Sequence, residues 1–211
     1  MADPISIGGV VGRNVNSLTF NPSVAVPAGA LLFISVGTNA GDSANITIAD
    51  SIVLPATPNA YSILVNSAQQ GTNAALFLFI SPIVTSLSTS QTITLNSNIR
   101  ADYGISGYLF TGLTGAVLSC DVEWFATTTP VYNIPLAQAG MQLFGVVALA
   151  GPSSDVFTQD PNWGPDVTSG LQSTTITIHG CGRMAPTAGS YSWAPILGTA
   201  RQSVGFACAF R

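Results

Sequence analysis

The sequence predicts an all-β protein, either a β-sandwich or a jelly-roll-like single domain, and three observations support this fold class. Short apolar and β-branched runs recur along the 211 residues, and the 21 glycines and 13 prolines separate them every few positions. Some runs alternate cleanly, as in Thr175–Ile178, where threonine and isoleucine face opposite sides of a strand. The residues that usually cover helix surfaces are scarce, because the chain has no lysine and only one glutamate, Glu123. No segment is predicted to be helical.

The predicted strands are short, as expected for a sandwich. Two of the runs, Leu31–Ile34 and Leu76–Ile80, are apolar on both faces and suit central strands or strands at a subunit interface. In chain order, the predicted strands are Ser17–Phe20, Ala30–Val36, Asn45–Ala49, Tyr61–Val65, Ala74–Ile80, Gln91–Leu95, Ile105–Phe110, Val117–Phe125, Gln142–Leu149, Ser173–His179, Ser190–Trp193 and Ser203–Phe210.

Residues 1–15 contain Pro4 and three glycines and are predicted to form an N-terminal arm. Such an arm hooks a neighbouring subunit or lies disordered, so we expect it to be the element that attaches the protein to its assembly. Residues 16–211 are predicted to form one β-sandwich domain.

Two related halves, at about 16–126 and 131–211, are predicted within this domain. Each half contains a glycine turn followed by an apolar strand, and each ends on a similar strand. The paired segments are Pro27–Gly37 with Gln138–Ala148, and Asp102–Thr111 with Arg201–Phe210. Because the connection Thr127–Pro130 is too short for a linker, we expect the halves to build a single sandwich.

Charge excludes several classes of partner. Only 7% of residues are charged, against roughly 25% in an average protein, and the net charge is −4 with five scattered arginines. No basic patch is available to neutralise nucleic-acid phosphates or to hold the chain to an anionic membrane. The N-terminus lacks the pattern of a secretory signal, so we expect synthesis in a cytoplasm. In that compartment Cys120, Cys181 and Cys208 are expected to be small buried hydrophobic residues, although a disulfide between two of them stays open.

Residues able to catalyse a reaction are few, and we expect no enzyme, catalytic residue or cofactor. The single histidine, His179, alternates with Cys181 on a predicted strand, but no serine lies in a nucleophile-elbow motif. Asp121 and Glu123 share a strand face and are a candidate pair for glycoside hydrolysis, but a solvated strand face explains them better.

Two groups of residues are candidates for ligand binding. Asp160, Asn162 and Asp166 lie in one loop and are a weak candidate for a calcium site, since Ca²⁺ prefers oxygen ligands. The pattern is not an EF-hand, and a structural loop is the favoured interpretation. Trp163 and Tyr103 are candidates for stacking on a glycan, whereas burial of the tryptophans in a core or an interface is favoured.

The order of these motifs resembles the β-sandwich surface and decoration modules of tailed phages and of gene-transfer-agent-type particles. From about residue 16 onward, the motifs that carry the resemblance are Val26–Val36, Ala49–Ser51, Ala74–Ile80, Tyr103–Thr111, Gly140–Ala150, Asn162–Gly164 and Ser203–Phe210. The resemblance implies a non-enzymatic virion protein, a capsid decoration, cement or head-appendage protein. Its partners would be other virion proteins and further copies of itself, with a trimer as the favoured form. The alternative is a receptor- or carbohydrate-binding module of a tail fibre or spike.

Overall fold

The computed structural model describes residues 4–40, 45–67, 74–113, 117–151, 155–167 and 175–211, without the side chains of residues 117–121 and of Leu136. Within these ranges every regular element is a β-strand, so the all-β prediction is confirmed. The strands are β1 (Ile5–Phe20), β2 (Leu31–Thr38), β3 (Ile46–Asp50), β4 (Ser62–Asn66), β5 (Ala75–Pro82), β6 (Ile93–Phe110), β7 (Val117–Thr127), β8 (Tyr132–Ala137), β9 (Gln142–Leu149), β10 (Phe157–Thr158), β11 (Thr177–Met184), β12 (Gly189–Trp193), β13 (Ile196–Leu197) and β14 (Arg201–Phe210).

Two antiparallel sheets form the sandwich, and each half of the chain builds one of them. The first sheet has the order β1-β6-β2-β5-β4, with β3 also paired to β6. The second has the order β11-β9-β14-β7. Two small ribbons, β8 with β12 and β10 with β13, belong to the second half of the chain.

The two sheets repeat the same pairing register. Leu31 of β2 lies opposite Phe110 of β6, and Gln142 of β9 lies opposite Phe210 of β14. The turns that precede β2 and β9 also match. Gly29 and Gly140 both have positive φ angles, 82° and 79°, which favour glycine over any residue with a Cβ atom. Their amide groups donate equivalent 2.8 Å hydrogen bonds, to the carbonyl oxygens of Ile83 and Ala185.

Aromatic side chains fill the space between the two sheets. The ring of Phe33 lies edge-on to Phe110 and Phe210, with centroid separations of 4.8 and 4.7 Å, and Phe144 lies 6.0 Å away. Phe33 and Phe144 occupy equivalent places in the two halves, as do Phe110 and Phe210. We call these four residues the aromatic core. Edge-to-face pairs of this kind add about 0.5–1.5 kcal/mol each beyond the area that they bury.

Each sheet also buries its outer face. In the first half, β1 and β6 form a long ribbon whose register shifts between Gly12 and Val15. Near this point Asn14 has a φ angle of 51°, and its amide donates to Asp102 Oδ1 at 2.9 Å. The far part of the ribbon covers the first sheet, burying Phe20 and Ile93 in the same cluster as residues of β2 and β5. In the second half, the β8–β12 ribbon covers the sheet with Tyr132 and Trp193, both fully buried.

The N-terminal arm expected at residues 1–15 is not a free segment where the structure describes it. Residues from Ile5 onward belong to β1, which pairs with β6, and Ile7 is fully buried. The glycines that suggested an arm lie at irregular points of the β1–β6 ribbon. One register shift falls between Ser6 and Gly8, and another follows Gly12. The described part of residues 1–15 is therefore a strand of the first sheet, and its expected role in attachment stays a prediction.

Replacing Phe33 with alanine should lower the free energy of unfolding by about 3–5 kcal/mol, because it opens a cavity at the centre of the aromatic core. Phe33→Leu, which keeps most of the volume and loses the ring contacts, should cost roughly 1–2 kcal/mol. Urea unfolding followed by circular dichroism measures both. Equal losses for the two variants would contradict this assignment.

Candidate functional site

Two neighbouring loops of the first half expose large apolar side chains. The loop after β3 carries Val53 and Leu54, which are 74% and 83% exposed, and the segment after β5 carries Val84, which is 59% exposed. We call these three residues the apolar tip. Val53 and Leu54 are consecutive, and strong exposure of neighbouring large apolar residues is typical of a surface that binds another molecule.

A single buried side chain, Asn59, joins the two loops. Its Oδ1 accepts hydrogen bonds from the amide groups of Val84 (2.8 Å) and Thr85 (3.0 Å). Its Nδ2 donates to the carbonyl oxygen of Thr85 (2.9 Å) and to Asp50 Oδ2 (2.8 Å). Asn59 is only 6% exposed, so these bonds are sheltered from water. The apolar tip is therefore held on a preformed support.

Asp50 extends this support to the start of the loop. Its Oδ1 accepts from the amide of Ile52 (3.1 Å), and its Oδ2 accepts from the hydroxyl of Tyr61 (3.2 Å). Burial, followed by the nearby Asp50 carboxylate, raises the pKa of Tyr61 well above its usual value. The Tyr61 hydroxyl consequently stays protonated and keeps donating to Asp50.

The three calcium candidates bind protein groups instead. Asp160 Oδ1 accepts from the amide of Asn162 (2.9 Å) and from its Nδ2 (3.1 Å), and Asp160 Oδ2 accepts from the amide of Ala194 (2.9 Å). Asp166 Oδ2 lies 2.7 Å from Nδ1 of His179. Among the described residues, no cluster of three or more histidine, cysteine or acidic side chains has the geometry to hold a metal ion. These hydrogen bonds are those of a structural loop, the interpretation that the sequence favoured.

The same loop covers the outer edge of β11. The amide groups of Gly164 and Val167 donate to the carbonyl oxygens of Gly182 (2.9 Å) and Gly180 (2.8 Å). A Cβ atom on Gly164 would lie 2.6 Å from the Gly182 oxygen, so this close approach requires glycine. The segment 160–167 therefore acts as an additional edge partner, which we call the edge cover.

The candidate catalytic residues also serve the fold. The His179 ring stacks on Phe157 at a centroid distance of 3.7 Å. Cys181 is fully buried, and burial raises the pKa of its thiol well above the usual value, which disfavours the reactive thiolate. Glu123 Oε1 accepts a 2.9 Å hydrogen bond from Asn133 Nδ2, whereas the Asp121 side chain lies outside the described part of the chain.

The two glycan candidates are not available for stacking. Trp163 is 6% exposed, and its indole N–H donates to the carbonyl oxygen of Ser192 at 2.8 Å. Tyr103 is fully buried, and its hydroxyl lies 2.7 Å from the hydroxyl of Ser97. Tyr103 fills the first core from β6, whereas Trp163 reaches the core beneath the second sheet from the turn that follows Asp160. The favoured interpretation as core aromatics is the correct one for Trp163.

The cysteines differ from one another. Cys181 is free, whereas Cys208 is disulfide-bonded, which corrects the expectation of three small buried thiols. The backbone register places Cys208 opposite Cys120, whose side chain lies outside the described part of the chain.

Sequence reasoning missed the apolar tip. Its signal was the run Ile52–Pro55, three large apolar residues followed by proline between two predicted strands. Apolar residues in that position are not needed for strand pairing, and they are therefore candidates for a contact surface.

Comparisons with known proteins leave the chain without an assigned family. No protein-family model matches the chain, and no curated protein sequence matches it. A search of the described residues for a helix long and apolar enough to cross a bilayer finds none.

Replacing Asn59 with alanine should lower the free energy of unfolding by about 2–4 kcal/mol, because two amide donors and two acceptors lose their buried partner. The matched control is Asn21→Ala, which removes one exposed hydrogen bond, Asn21 Nδ2 to the Gln91 carbonyl at 3.0 Å. This control should cost about 0.5 kcal/mol or less. Thermal unfolding of both variants tests the support, and equal stabilities would contradict it.

Iodoacetamide should leave Cys181 unmodified in the folded protein and label it rapidly in denaturant, because burial holds it as the neutral thiol. Cys208 should be labelled in denaturant only after a reductant is added. Peptide mass spectrometry measures both sites. Labelling of Cys181 at the same rate in the folded and unfolded protein would contradict its burial.

Proposed function

We propose that this protein is a non-enzymatic structural component of a virus particle, a capsid decoration or head-appendage protein of a tailed phage. The observation that carries the proposal is the apolar tip, which the fold presents to solvent on a rigid support. On this proposal the chain is made in the host cytoplasm. The side chains of the apolar tip become buried only when the protein docks on the particle.

The energetics favour a docking role for the tip. Burying a valine or leucine side chain contributes about 1.5–3 kcal/mol, so a contact made by Val53, Leu54 and Val84 provides useful affinity. Because Asn59 and Asp50 already order the loops, little conformational entropy is lost on docking. A homo-oligomer, which we propose to be a trimer, would multiply this affinity through simultaneous contacts with a repeating lattice.

The arrangement of ionisable groups also supports a structural role. Arg201 Nε donates to Asp155 Oδ2 at 2.6 Å, and His179 pairs with Asp166. These groups fasten loops to strands, an arrangement that differs from a catalytic site, where titratable groups converge on a cleft. The low content of charge suits a protein that makes extensive neutral contacts with other copies and with capsid subunits.

The experiment is co-sedimentation of the purified protein with particles of the encoding phage from which this protein has been removed. Wild-type protein should sediment with the particles at a fixed ratio to the major capsid protein, measured by quantitative mass spectrometry. The Val53→Ser, Leu54→Ser double variant should bind at least tenfold more weakly, because the docking contact loses its apolar area.

Val156→Ser is the matched control, because Val156 is 65% exposed and lies outside the tip. It should bind as the wild type does, and all three proteins should have the same melting temperature. Undiminished binding of the double variant would exclude the tip as the docking surface, and absence of the wild-type chain from particles would exclude a virion role.

A further inference from the structure

We infer that the groove formed by β7, β14 and Ala74, the residue before β5, binds a neutral sugar ring against the indole of Trp124. The groove contains a cavity of about 240 Å³, lined by Ala74, Trp124, Phe125, Ala126, Gln202 and Ser203. This volume is below the roughly 300 Å³ at which pockets for drug-sized ligands begin, so it suits one small ring. The inference is independent of the docking proposal, because no residue of the apolar tip lines this cavity.

Trp124 is the most exposed of the three tryptophans. It is 40% exposed, whereas Trp163 and Trp193 are 6% and 0% exposed. Its indole N–H donates to the carbonyl oxygen of Ser67 at 3.2 Å. Ser67 is itself fixed by Leu76, whose amide donates to Ser67 Oγ at 2.8 Å. The indole is therefore held in one orientation before any ligand arrives.

The repeat between the halves shows that the fold does not require an indole at this place. Trp124 of β7 lies opposite Val204 of β14, and the equivalent pair in the first sheet is Val11 of β1 opposite Gly104 of β6. Val11 contacts the position of a Gly104 Cβ atom at 3.6 Å and serves the same sandwich edge. Val11 therefore packs at this edge of the first sheet without an aromatic ring. At the equivalent place in the second sheet, the indole of Trp124 presents a flat, rigid surface.

The lining selects the chemistry of the ligand. Among the described residues, those that line the cavity are uncharged, which disfavours phosphates, carboxylates and free cations relative to a neutral ligand. Gln202 is exposed and lies diagonal to Trp124 on the same face of the sheet, where its amide can reach a hydroxyl of a ring stacked on the indole. A sugar ring offers both an apolar face of C–H groups and a rim of hydroxyls, and it fits this combination.

The test is saturation-transfer NMR and calorimetric titration of the full-length protein with methyl glycosides of glucose, galactose, mannose and N-acetylglucosamine. At least one should bind, and Trp124→Val, which installs the residue of the first half, should weaken binding at least tenfold. The same variant should shift the melting temperature by no more than about 4 °C. Gln202→Ala should weaken binding several-fold, and Val131→Ala, a half-exposed apolar control, should leave it unchanged.

Three results would overturn the inference. The first is the absence of binding by all four glycosides. The second is binding that Trp124→Val leaves intact. The third is preferential binding of choline, included as a probe, because a quaternary ammonium ion would assign the indole to cation recognition. Loss of particle docking by tip variants that still bind sugar would separate this inference from the docking proposal.

Discussion

Burial of the aromatic face that each half of the chain presents to the other is the constraint on which this structure depends. Phe33 and Phe110 come from the first sheet and Phe144 and Phe210 from the second, and neither set is shielded from water without its counterpart. The sheets approach so closely near Gly37 that an added Cβ atom there would lie 2.9 Å from Ile178. The halves therefore share one core between the sheets, although each also covers its own outer face.

The repetition of register makes the differences between the halves informative. Equivalent turns, strand orders and core rings reflect what the fold requires in both halves. Trp124 in place of Val11 breaks the equivalence, which shows that the fold itself accepts an aliphatic residue at this register position. The apolar tip is a second difference between the halves, because its residues lie in loops of the first half.

Local sequence pattern predicts strands well where the run is apolar on both faces. Gln142–Leu149 is β9 without change, and Leu31–Val36 falls within β2. Prediction from local pattern fails where strands are long and irregular. The strand β6 joins two predicted strands, and β1 begins within the segment predicted to be an arm. Local pattern also does not show that Trp163 and Tyr103 are buried, because their burial depends on contacts with residues that are distant in the sequence. The closing strands align one residue away from the sequence match, with Asp102 equivalent to Gln202.

The edge cover has a consequence for how this protein behaves at high concentration. A chain with 7% charged residues and no lysine has little electrostatic repulsion to keep neighbouring molecules apart. Protection against association must therefore come from the sheet edges, where backbone groups that already have hydrogen-bond partners cannot pair with another molecule. By saturating carbonyl groups of Gly180 and Gly182, the segment 160–167 denies incoming strands a template there. Opening of this segment would therefore expose carbonyl groups of β11 to pairing with a strand of another molecule.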